Sequence, residues 1–257
     1  MRRWLPSVVI VLMLLGLWQL AASSDVIANA LRIEPFLVPA PSDIARSLWT
    51  DRSLLVDNGW VTLQEVLAGF AVSIVAGVGF ALVLHLSPTL RRAFYPLLVA
   101  SQTVPIVVVA PILVVWLGFG IGPKLAIIAL ICFFPITVNT LDGLRSVDPD
   151  LVKMMRTLDA GRWRTLSGVE APTALPYFFS GAKIAVAVAV IGAVFGEWAG
   201  SSSGLGHLIQ QASAQLETAR TFAAVVVLSV LAIALFGLLA ALERRVAWWG
   251  HTETGVR

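Results

Sequence analysis

Apolar runs at about 5–20, 59–86, 95–117, 124–141, 177–198 and 222–242 constrain this 257-residue chain more than any other feature of it. Each approaches the ~20 residues a helix needs to cross the hydrocarbon core of a bilayer. A segment in that core has no water to bond to, so it must satisfy its own backbone, as a helix does. Charged residues make up 13% of the chain, against roughly a quarter in ordinary soluble domains. The runs therefore predict an all-α, polytopic membrane protein with about six transmembrane helices. We read one membrane domain over residues 1–257, its core at about 59–245.

The net charge of +3 is small, which argues against nucleic acid as a partner; where the charges sit says more. With six crossings and both termini inside, the inner segments hold Arg2, Arg3, Arg91, Arg92, Arg145, Lys153, Arg156, Arg162, Arg164, Arg244, Arg245 and Arg257. The outer ones hold Arg32, Arg46, Arg52, Lys124 and Arg220. Twelve against five follows the excess of Lys and Arg on the cytoplasmic side of membrane proteins. Both termini are thus expected in the cytoplasm of a multi-pass protein embedded in the lipid bilayer. The first run, after Arg2-Arg3 and before Ala21-Ala22-Ser23-Ser24, fits either a cleaved signal peptide or an uncleaved first helix.

The longest polar stretch, 146–176, lies between the fourth and fifth runs and falls inside. Asp148-Pro149 reads as a helix start, since Asp caps free N–H groups and Pro needs no partner at the first helical position. Leu151, Met154, Met155 and Leu158 then recur at helical spacing on one face, with Lys153 and Arg156 toward the other. Asp159-Ala160-Gly161 offers a stop, a second short piece runs through Arg162 and Trp163, and Pro172 and Pro176 are expected to break the chain. The adaptable Met pair suits a docking surface. Trp163 and the arginines suit equally a helix resting on lipid head groups.

Pro96, Pro105 and Pro111 fall within the third run, beside Ser101, Gln102 and Thr103. A helix broken there to line a polar path and a simple packing kink both fit. Glu197 ends the fifth run, either solvated at the membrane edge or aimed at such a path, and Lys183 near the inner end is expected to reach the head groups. Trp248 and Trp249 read as interfacial anchors. Cys132 is the single cysteine, a small apolar filler, and the three His are scattered. No nucleophile, phosphate loop or metal spacing stands out, so we expect no cofactor, no metal, and an energy source in another polypeptide.

The frame Gly143-Leu144-Arg145-Ser146-Val147-Asp148-Pro149, then Arg162-Trp163 and Ala174-Leu175-Pro176, resembles the cytoplasmic loop of ABC importer permease subunits. Pro39-Ala40-Pro41-Ser42, Gly196-Glu197-Trp198-Ala199-Gly200 and Ser203-Gly204-Leu205-Gly206 extend the resemblance, which is to the nitrate, sulfonate, taurine and pyrimidine-precursor branch. Lys153-Met154-Met155 stands where that family has Glu-Ala-Ala, and Asp159 where it has Gly. The resemblance implies a type I ABC importer permease fold in a bacterial inner membrane, a first helix that stays attached, and work as a dimer with a second copy. It implies cytoplasmic ATPase subunits docked at about 143–177 on Asp150, Leu151, Lys153, Met154, Met155, Arg156, Leu158, Asp159, Arg162 and Trp163. It also implies an extracytoplasmic solute-binding protein and a path lined by Ser101, Gln102, Thr103, Pro105 and Glu197. The solute would be a small organic one, such as a sulfonate, taurine, nitrate or the pyrimidine precursor of thiamine, the Gly-Glu-Trp-Ala-Gly stretch standing closer to the last. A self-sufficient secondary transporter or channel is the alternative; it commonly shows repeated halves and mid-membrane charges, which the runs lack. An intramembrane enzyme would need catalytic spacing that the runs also lack.

Overall fold

The structure is a computed structural model that describes residues 5–24, 32 and 34–251. Arg2, Arg3 and Arg257, and with them the placement of both termini, lie outside the described residues. Every regular element among those residues is helical. In order they are α1 (Leu5–Ser23), α2 (Pro41–Thr50), α3 (Arg52–Leu86), α4 (Pro88–Ser101), α5 (Ile106–Leu117), α6 (Ile121–Arg145), α7 (Pro149–Thr157), α8 (Arg162–Thr165), α9 (Ala171–Gly200), α10 (Leu205–Ala214) and α11 (Thr218–Val246). A π turn, Leu166–Glu170, joins α8 to α9, and 3-10 turns cover Pro35–Leu37 and Trp248–His251.

Six crossings were expected; among the described residues four helices are long and apolar enough to cross alone, namely α3, α6, Arg162–Gly200 and α11. The third run is the difference. It forms α4 and α5, bent by 102° between them, and counts as a fifth span only as a pair. Pro105 caps α5 at φ −66° and ψ 117°, and a proline drives the residue before it out of helical geometry, so the chain cannot pass straight through. The apolar helix described over Val9–Ser23 is shorter than the other candidates. Conversely α3 starts seven residues before its apolar run, at Arg52. Its 35 residues reach roughly 52 Å, well beyond the ~30 Å core.

Packing divides the chain into two compact units. One combines the residues up to Val61 with Ser202–Val230. Ile44, Leu55, Leu205, Leu208, Ala223 and Ala224 form its buried core, with Trp18, Leu48 and Val227 packed around it. Arg220 donates to Asp51 through Nε (3.1 Å) and Nη2 (3.2 Å). These bonds hold the Asp51 carboxyl below the usual carboxylate range.

The other unit runs Thr62–Ser201 and continues from Leu231. Its centre is α6 against α9, through Ile127, Ile128, Cys132, Ile136, Ala182, Ala185, Ala189 and Ala193, all buried. Cys132 is a buried filler, its thiol 3.3 Å from the Ala185 carbonyl. Small residues allow the close approach, as is usual between helices in lipid. At Gly181 any side chain would place its Cβ 2.5 Å from the Pro135 carbonyl oxygen.

Two local expectations are corrected in this unit. Pro172 and Pro176 do not break the chain, which is helical from Arg162 to Gly200. Pro176 lacks the N–H that would bond the Pro172 carbonyl, and Trp249 Nε1 donates to that carbonyl instead, at 3.3 Å. Trp249 is therefore a capping donor within the fold. Lys183 does not reach for head groups; its ammonium donates to Glu243 Oε2 at 2.8 Å, where Glu243 is buried.

Candidate functional site

The polar stretch begins as its residues predict. Asp148 caps α7, its Oδ1 accepting from the Asp150 N–H at 2.8 Å. No residue of α7 is buried. Leu151, Met154 and Leu158 are 44%, 50% and 68% exposed, while Met155 is half-buried and turned toward Gly168. Asp150 and Lys153 pair across the solvent face at 2.7 Å, both largely exposed, so the pair is worth under about 1 kcal/mol. Arg156 and Trp163 are exposed as well, Trp163 at 75%. The polar stretch thus presents an amphipathic helix with its apolar face open.

Asp159 ends α7 at φ 57°. Its N–H bonds the Arg156 carbonyl at 3.0 Å, and the Ala160 N–H bonds the Met155 carbonyl at 3.0 Å. This is the Schellman arrangement, in which the left-handed residue is usually Gly because any Cβ adds strain there. Geometry thus accounts for the residue the family resemblance leads one to expect. Asp159→Gly should relieve up to about 1 kcal/mol of strain and raise the hydrogen-exchange protection of the Ala160 amide. Asp159→Val, β-branched at positive φ, should lower it.

The residues expected on a path fall in two places. Ser101, Gln102, Thr103 and Pro105 are exposed at the bend between α4 and α5. The Ser101 and Thr103 hydroxyls donate back to the Leu98 (2.7 Å) and Ala100 (2.8 Å) carbonyls. Glu197 does not join them. It is fully buried, and Thr62 Oγ1 donates to its Oε1 at 2.7 Å, so the solvated edge position is not the one it occupies.

Around Glu197 the structure assembles groups that the sequence reading missed. Thr62 and Glu65 stand three residues apart on α3, and Glu197 and Ser201 four apart at the end of α9. Lys124 Nζ donates to Glu65 Oε1 and to Ser201 Oγ, both at 2.6 Å. Lys124 was counted with the outer segments, at the start of the fourth run, but α6 begins at Ile121, so its first turn carries Lys124 into the packing, 7% exposed. Attraction between unit charges a few ångströms apart is strong in a dry interior, and so is the penalty for an unpaired one. An acid inside an apolar run was the signal: ionisable groups within spans come with partners.

The family model described as binding-protein-dependent transport system inner membrane component matches residues 69–248. The chain belongs to this family. It is 37% identical to the formylaminopyrimidine transport permease protein ThiX of Halalkalibacterium halodurans over 93% of each chain. To the riboflavin transport system permease protein RibX of Chloroflexus aurantiacus it is 36% identical, over 83% of this chain and 81% of RibX. To the taurine transport system permease protein TauC of Escherichia coli it is 28% identical, over 88% and 85%. An inward-facing structure of the MetNI methionine ABC transporter superposes with a TM-score of 0.66 at 19% identity, covering 76% of this chain and 97% of that one. The fold is that of a type I ABC importer permease, and the protein is an inner-membrane permease component of an ABC transporter.

Proposed function

We propose that this permease forms its path with a second copy of itself and is driven by cytoplasmic ATPase subunits docked on α7. An extracytoplasmic binding protein supplies the solute. The observation that carries the proposal is the open apolar face of Leu151, Met154 and Leu158 on a helix whose own start and stop are fully bonded. Asp150, Lys153, Arg156 and Asp159 rim that face, with Met155, Arg162 and Trp163 beside it. Closure of the ATPases on ATP would move the two docked helices and reorient the spanning ones. Ser101, Gln102, Thr103 and Pro105, at the bend, line the path in this reading. Glu197 contributes by holding α9 to α3 through Thr62, without touching solute.

The solute we propose is an uncharged nitrogen heterocycle of the pyrimidine class. The relatives named for formylaminopyrimidine and riboflavin stand at 37% and 36% identity, whereas the taurine permease stands at 28%. Uptake of labelled formylaminopyrimidine and of labelled taurine by cells carrying the whole transporter tests this, and taurine uptake alone would contradict it. Lys153→Glu restores the acid usual at that position in the family, at a solvated rim. Its effect on ATPase assembly should stay within about fivefold, the scale of an exposed pair, measured by titrating the ATPase subunit onto the purified permease.

A further inference from the structure

The segment that carries α7 is fastened to the inner end of α3 at two points, and neither uses the open face of α7. Arg162 Nη2 donates to the carbonyl of Leu86, the last residue of α3, at 2.9 Å. His85 Nε2 lies 2.9 Å from Glu170 Oε2, with only 13% and 15% of the two side chains exposed. Glu170 is the last residue of the π turn Leu166–Glu170, after which Ala171 donates back to the Leu166 carbonyl. Such single wide turns are rare within helices and concentrate at functional positions. The Nδ1 of His85 is buried without a hydrogen-bond partner, which is uncommon enough to need a reason.

These contacts differ from the pair on α7 itself. Lys153–Asp150 is solvated on all sides and holds little. A hydrogen bond sheltered from water is electrostatically stronger and keeps its geometry under load. From the docking segment, α6 and α9 are reached along the chain itself, across Ser146-Val147 and through the π turn. α3 lies 76 and 85 residues away in sequence at these two bonds, so it can follow only through contacts across the fold.

We infer that His85 and Glu170 are positioning residues of the transport cycle, a strap that carries movement of the docked segment into α3. The π turn beside them is the yielding joint between that segment and α9. This inference rests on the docking reading above, and the variants that test it leave the docking face intact. His85 and Glu170 do not touch the solute.

The test uses the permease assembled with its ATPase subunits in lipid nanodiscs. A cysteine at Val56, 67% exposed on α3 ahead of its apolar run, reports that helix through its maleimide labelling rate with and without Mg-ATP and vanadate. Cys132 is fully buried and stays silent. With His85 and Glu170 intact, ATP should change the labelling rate. His85→Leu and Glu170→Leu should each shrink that change about fivefold, the shift that losing one hydrogen bond makes in a two-position equilibrium. The double variant should do no more than either single one. His85→Gln, whose amide nitrogen reaches where Nε2 stands, should retain the change, and ATPase co-purification should be untouched throughout. The inference is overturned if ATP leaves the labelling of Val56→Cys unchanged in the parent. It is equally overturned if the Leu variants respond like the parent, or if they shed the ATPase. Failure of the docking reading itself shows separately, as an ATPase that stays bound when the open face of α7 carries a charge.

Discussion

Met154→Asp should release the ATPase subunits while the membrane domain still folds. Met154 is half exposed on α7 and no residue of that helix is buried, so the protomer loses nothing by the change. Once a partner covers the apolar face, the new carboxylate is desolvated and unpaired, at a cost of several kcal/mol. At about 4 kcal/mol, affinity falls roughly a thousandfold. Met155 is the less clean position, because its side chain already turns in toward Gly168. Size-exclusion of the purified complex reads the outcome: the variant permease should elute alone, folded and without its ATPase.

Lys124→Met should act in the opposite way, on the fold before assembly. The ammonium is the donor to Glu65 and Ser201, and removing one member of a buried ion pair costs about 3–5 kcal/mol because the other charge is stranded. Folded protein recovered from the membrane should fall to a small fraction of the parent level. Lys124→Met combined with Glu65→Gln removes the stranded charge and should restore much of it. Fluorescence-detected size-exclusion in mild detergent measures both variants. Parent-level recovery of Lys124→Met alone would mean that the pair does not hold α3 to α6.

Much of this arrangement was legible because its causes are local. Asp148-Pro149 starts α7 with a side chain two residues from the amide it caps, and Pro105 ends a helix by its own ring. The bend between α4 and α5 follows from that proline and the polar Ser101-Gln102-Thr103 before it. What stayed hidden depends on partners far along the chain. Nothing near Pro176 announces that Trp249 will bond the carbonyl it frees, so a break was the natural expectation where the helix in fact continues. Lys183 and Glu243 are 60 residues apart, and Lys124 and Glu65 are 59 apart. A hydropathy boundary places such residues at the membrane edge, because it counts a charge without seeing the opposite charge that lets it move inward. Asp159 shows the reverse case: its departure from the family's Gly is visible in the sequence, but only the positive φ says why Gly is usual there.

The central claim is that the apolar face of α7 meets an ATPase and not the lipid surface. A single cysteine at Leu158, the most exposed apolar position at the end of α7, carries a short photoactivatable cross-linker in the assembled transporter. Irradiation should join the permease to the ATPase subunit, and Met154→Asp should abolish that product. Cross-links to phospholipid alone, with the ATPase present and active, would contradict the account.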